Sequence, residues 1–155
     1  MSLYPAENDH ERILPKSEAD VLRKRMASVW GVDRGYWWPL SDPRPAHAEG
    51  FQDYYFEQEF GYAVLRRILA ERGVTSVFEF REDGIAYEVS VASFEPCYTG
   101  LEGFWTSDRF DWILYASHES SVTVAGEWLL PAVQSAWPAW EQRIWTSPFY
   151  ERPHD

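Results

Sequence analysis

The stretch Asp111–Gly126, DWILYASHESSVTVAG, decides the fold. Phe110 to Ser117 and Ser121 to Ala125 are both rich in aromatic and β-branched residues, and only His118, Glu119 and Ser120 separate them. This pattern predicts two antiparallel strands around a tight turn. With Glu119 and Ser120 as a two-residue loop, Tyr115 faces Val124, Ser117 faces Val122, Leu114 faces Ala125 and Ala116 faces Thr123. Both faces are then mostly apolar, so the pair belongs near the centre of a sheet with partial cover on each side. His118 falls at the rim.

Ser117, His118, Glu119 and Ser120 have the residue types of a nucleophile–base–carboxylate relay. Successive strand residues point to opposite faces, so adjacent ones do not stack into a relay. Serines and a glutamate are also ordinary turn chemistry. What survives is His118 as a residue that could line a site, with Glu119 beside it.

A second hairpin precedes the first. Val74 to Glu82 and Ile85 to Phe94 flank Asp83-Gly84, a strong two-residue turn signal. That loop sets Phe80 against Tyr87 and Phe78 against Val89 on one face, and Glu79 against Glu88 on the other. Directly opposed like charges destabilise a sheet unless something uses or neutralises them. A pair of carboxylates with one raised pKa would suit general acid–base chemistry or a bound cation. Arg81 as a diagonal neutraliser, or a slipped register, is the plainer explanation. Glu79, Glu88 and His118 are the catalytic candidates.

Helices flank these strands. Ser17 is placed to cap a helix carrying Val21, Leu22, Met26, Val29 and Trp30, with Gly31 as its stop. The segment from Asp53 to Arg72 keeps apolar residues at helical spacing, Gly61 marks a bend and Gly73 a C-cap. After Gly126, Leu129, Leu130, Val133, Trp137, Trp140 and Ile144 continue a helical stripe that Pro138 must kink or split. Between the first two helices, Asp33 to Gly50 reads as a proline-containing loop. Its Tyr36-Trp37-Trp38-Pro39-Leu40 cluster would serve as a buried plug or as a binding lip.

Strands grouped together between helices predict an α+β fold. The expected form is an antiparallel sheet of about four or five strands built from two hairpins, packed by helices on one face. The Tyr36–Leu40 loop, or a second copy of the chain, would cover part of the other face. Residues 16–146 form the expected domain, residues 1–15 a loose N-terminal arm and residues 147–155 a loose tail.

The chain of 155 residues has one cysteine, Cys97, which leaves no partner for an internal disulfide and disfavours a cysteine-rich zinc site. Its four histidines, His10, His47, His118 and His154, are scattered, so no metal or other cofactor is expected. No run is apolar enough for a membrane span or a signal peptide, and a cytoplasmic location is the expectation. Aromatic residues make up 17% of the chain, with nine tryptophans. Trp37, Trp38, Tyr98 and Trp105 are the candidates for an aromatic groove.

Charge is lopsided. Residues 1–75 carry 12 acids and 10 bases, whereas residues 76–155 carry 13 acids and 4 bases, within an overall net charge of −11. Such a field repels nucleic acid and anionic membrane and attracts a basic protein. It also serves solubility.

The stretches Trp30-Gly31-Val32, Trp37-Trp38-Pro39-Leu40, Leu101-Glu102-Gly103-Phe104-Trp105 and Asp111 to Glu119 resemble an uncharacterised family of small bacterial proteins. That resemblance implies no activity and no catalytic residue. Composition also resembles that of immunity proteins that neutralise toxins, an analogy only. Three functional expectations follow. The first is an acidic protein-binding module, immunity-like, that engages a basic partner. The second is a small-molecule binder or enzyme with an aromatic groove and a paired-carboxylate or His/Glu site. The third is a homodimer subunit joined through exposed aromatics.

Overall fold

The computed structural model describes residues 10–32 and 36–146. Strands β1 (His10–Ile13), β2 (Ala48–Gln52), β3 (Ser76–Arg81), β4 (Ala86–Ser90), β5 (Gly103–Thr106), β6 (Ile113–Ala116) and β7 (Ser121–Ala125) form one sheet. Its order is β1-β4-β3-β5-β6-β7-β2, with every neighbouring pair antiparallel. The helices are α1 (Lys16–Trp30), α2 (Asp53–Tyr55), α3 (Tyr62–Glu71) and α4 (Leu129–Ala136). A π-helical turn, Phe56–Phe60, follows α2, and a 3-10 turn, Trp140–Arg143, follows α4. The fold is α+β with an antiparallel sheet.

Among the described residues seven strands replace the expected four or five. Both predicted hairpins are present as β3–β4 and β6–β7, and three further strands come from the expected arm, from the end of the proline-containing loop and from Gly103–Thr106, where the sequence predicts no element. Residues 10–13 of the expected arm pair with β4, while residues 1–9 and the tail at 147–155 lie outside the described residues. β2 emerges from the end of the proline-containing loop and pairs along its whole length with β7. Its sequence AEGFQ has weak strand propensity, and the pairing supplies what the side chains do not.

Both hairpins sit one residue away from the expected register, for the same reason. In the first, Gly84 alone has a positive φ (92°), and its N–H donates to the Arg81 carbonyl at 3.0 Å. A two-residue type I′ turn needs positive φ at both central residues. Here Glu82 and Asp83 keep negative φ and Gly84 takes the left-handed position, giving a three-residue loop with a bulge. In the second, Ser120 (φ 65°) plays the part of Gly84, and the Ser117 N–H donates to the Ser121 carbonyl at 3.0 Å. Phe80 therefore faces Ala86 and Val77 faces Val89, while Tyr115 faces Thr123 and Leu114 faces Val124.

Helices pack on both faces, not one. On one face, Leu65, Leu69, Leu129 and Val133 from α3 and α4 bury against Val77, Val89, Leu114, Val122 and Val124. On the other, Ala19 and Met26 of α1 bury against Phe80, Ala86, Phe104, Ile113 and Tyr115. Trp37 joins this second face, which it shares with Ala48. Pro39 lies so close to β2 that a Cβ at Gly50 would meet its ring at 3.2 Å. Within the Tyr36–Leu40 segment, Trp37 thus plugs the α1 face while Tyr36 stays exposed.

Helix ends follow local chemistry. Gly31 takes a left-handed φ of 72° and its N–H donates to Ala27, closing α1. At the other end α1 begins at Lys16 after Pro15, so Ser17 lies inside the helix and does not cap it. Gly61 (φ 93°) separates the π-helical turn from α3, and α4 ends before Pro138.

Candidate functional site

The slipped register disposes of the paired carboxylates. Glu79 faces Tyr87 and Glu88 faces Phe78, so the two acids lie on opposite faces of the sheet. Glu79 is buried and accepts hydrogen bonds from Arg81 Nε at 2.7 Å and Trp105 Nε1 at 3.0 Å. Glu88 accepts from Arg12 Nε at 2.8 Å. The aromatic groove is not assembled either. Trp37 and Trp105 are buried on opposite faces, Trp38 is half-buried beneath the Arg44 guanidinium, and Tyr98 stands apart from them beside His118.

His118 has a partner that its neighbours in sequence did not suggest. Glu102, in the segment leading into β5, is 1% exposed and receives three hydrogen bonds. Its Oε1 contacts His118 Nδ1 at 2.6 Å and accepts from the Tyr115 hydroxyl at 3.2 Å. Its Oε2 accepts from the His118 backbone N–H at 3.0 Å. Backbone pairing fixes Glu102 there: Glu82 N–H donates to its carbonyl, and its own N–H donates to Glu82 Oε1 at 2.7 Å. The next residue, Gly103, lies beneath the Trp105 ring, where an added Cβ would come within 2.6 Å. Phe104 stacks on Tyr115 at 4.6 Å, which sets the hydroxyl toward Glu102.

The far side of the ring meets a second carboxylate. His118 Nε2 lies 3.1 Å from Glu119 Oε1, and the Tyr36 ring sits 4.9 Å from the imidazole. Carboxylate oxygens only accept hydrogen bonds when ionised. Two such contacts on one imidazole therefore call for a proton on both nitrogens. The hydrogen bond to Glu102 is the main influence raising the His118 pKa above its ordinary value, and the charges of Glu102 and Glu119 act in the same direction. Burial pushes the Glu102 pKa up, and its bonds from His118 and Tyr115 pull it back. Burial likewise holds the Tyr115 hydroxyl above its usual range.

A hollow of about 290 Å³ opens beside the turn, with Asp53, Glu57, Tyr62, Cys97, Tyr98 and His118 on its walls and, among the described residues, no lysine or arginine. No nucleophile is activated there. Burial, followed by the charges of Glu95 and Glu57, pushes the Cys97 thiol up, so it stays protonated at neutral pH. Ser117 Oγ is paired with Ser121 Oγ at 2.6 Å and receives the Glu119 and Ser121 N–H groups, so it organises the turn. The Ser117–His118–Glu119–Ser120 relay is not built. Among the described residues no group of three or more histidines, cysteines or acids is arranged to hold a metal ion, and no helix is long and apolar enough to cross a membrane.

Glu102 was the residue sequence reasoning missed. A signal existed: a lone acid between Leu101 and Gly103-Phe104-Trp105, where an apolar run has no reason to hold a charge unless it is paired. No protein-family model, curated protein or solved structure matches the chain.

Proposed function

We propose that the chain is an acidic protein-binding module that engages a basic protein partner. The observation that supports this is the disposition of carboxylates in the second half of the chain. Glu82, Asp83, Asp108, Asp111, Glu127 and Glu141 are exposed, and among the described residues none of them has a lysine or arginine at ion-pair distance. Arg81, Arg66 and Arg143 are engaged elsewhere, with Glu79, Glu95 and Glu59, while exposed Arg72 and Arg109 line the same hollow as Asp108 and Asp111 without closing an ion pair to them. The charge is therefore turned outward, where it steers a cationic surface inward and is screened over about 8–10 Å in physiological buffer.

The test is capture on the immobilised chain from a lysate of its source, at about 50 mM and again at about 500 mM salt. One basic protein retained in stoichiometric amount at low salt and released at high salt supports the reading. Retention of nothing at either salt, or of a partner indifferent to salt, contradicts it.

A second reading is favoured by the Glu102–His118 pair. A buried carboxylate on Nδ1 orients an imidazole as a general base is oriented in hydrolases. Under this reading the imidazole, having lost its Nε2 proton and its contact with Glu119, takes a proton from a water molecule that attacks an ester bound in the hollow, and the alcohol leaves. Turnover of chromogenic esters that rises with pH and is lost in H118N would favour this reading over the first.

A further inference from the structure

The turn between β6 and β7 is held by one ring from two sides. Glu102 grips Nδ1 from the buried side, and Glu119 contacts Nε2 from the exposed side. Their exposures differ sharply: Glu102 is 1% exposed, whereas the His118 and Glu119 side chains are 35% and 37% exposed. The bond to Glu102 needs only the Nδ1 proton, which neutral imidazole can keep. The contact to Glu119 needs the Nε2 proton, which neutral imidazole then lacks. Losing one proton to water therefore turns the outer contact from attraction to lone-pair repulsion and leaves the inner one in place.

We propose that the His118 ring is a proton-operated tie. Doubly protonated, it holds Glu119 against the turn; singly protonated, it releases Glu119 to solvent. The groups around the ring agree with this. Glu102 comes from the segment before β5, Tyr115 from β6, Glu119 from the same turn and Tyr36 from the plug. Across the hollow lie Asp53 and Glu57 from the helical segment after β2, with Tyr62, Cys97 and Tyr98. Among the described residues no lysine or arginine lines the hollow beside the ring to supply the charge that the imidazole gives up. Release also makes the face more negative, so capture of a cationic partner strengthens as pH rises through the midpoint. Only that last consequence rests on the proposed binding role.

The tie is tested on the free protein. Long-range proton–nitrogen NMR spectra follow the His118 ring, assigned by its loss in H118N, across about pH 5 to 9, the range in which histidines titrate. The expected result is a His118 midpoint above its ordinary 6.5, with the Glu119 and Ser120 amides moving at the same midpoint. E119Q, at a part-exposed position, lowers the midpoint and uncouples those amides. E102Q lowers it further. A midpoint at or below 6.5, turn amides that do not follow it, or an E119Q midpoint equal to wild type each overturns the proposal. A Glu102–His118 pair that serves structure alone would raise the midpoint without any response to E119Q. No partner enters the measurement, so a failed capture leaves it intact, and failure here leaves capture standing.

Discussion

Glu102 shows how one side chain organises a region larger than itself. A buried carboxylate is costly, and it persists because donors from β6 and from the following turn converge on its two oxygens. E102Q replaces one acceptor oxygen with a donor facing other donors. It should cost about 2–3 kcal/mol by urea unfolding, less than a fully buried pair would lose, because water can reach the part-exposed imidazole. Gly103 makes the complementary case for shape. With the Trp105 ring folded over it, G103A must push that ring off its hydrogen bond to Glu79. Overpacking of this kind should destabilise by about 1–3 kcal/mol and alter tryptophan fluorescence.

At the scale of elements, the two hairpins share one turn design built from different residues. Gly84 and Ser120 occupy the same left-handed position. Serine is strained there and glycine is not, so S120G should stabilise by up to about 1 kcal/mol, while G84A should destabilise by about 1–2 kcal/mol. Both appear as shifts in urea midpoint with an unchanged slope. This turn design also marks where the sequence was legible. The existence of both hairpins, the break at Gly61, the stop at Gly31 and the interruption at Pro138 could all be read, because each depends on residues within a few positions. Register could not, because Asp-Gly serves both two- and three-residue loops, and one extra residue sends Glu79 and Glu88 to opposite faces. β1 and β2 were illegible for a different reason: long-range pairing rather than propensity makes them strands, while β5, with Phe104-Trp105-Thr106, has the propensity but no turn signal to name its partner. The Glu102–His118 contact joins residues from separate segments, which no local pattern encodes.

Over the whole molecule, the titrating groups set a window of stability. Glu18, Asp20 and Glu59 have pKa values lowered by hydrogen bonds to Arg12, Lys16 and Arg143. Groups lowered on folding stabilise above their unfolded values, and that contribution is lost as pH falls through the folded ones. Glu102 and His118 are raised, so the native state holds their protons longer than the unfolded chain does. Their contribution is full below the unfolded values and fades as pH rises, from 4.5 upward for Glu102 and from 6.5 upward for His118. Thermal unfolding should therefore show stability falling from weakly acidic toward alkaline pH, and H118N should flatten the part of that fall above pH 6.5.

The outward-facing charge is the whole-molecule property on which the proposed function depends. The most direct measurement is capture from lysate at about 50 mM salt, run side by side with the wild-type chain and with D108N/D111N/E127Q. These three positions are exposed, among the described residues none has a lysine or arginine at ion-pair distance, and asparagine at 111 keeps an oxygen to accept from Trp128 Nε1, so the urea midpoint should hardly move. A basic protein bound stoichiometrically by the wild type should be lost or much weakened on the variant. Equal retention by the two chains would contradict it.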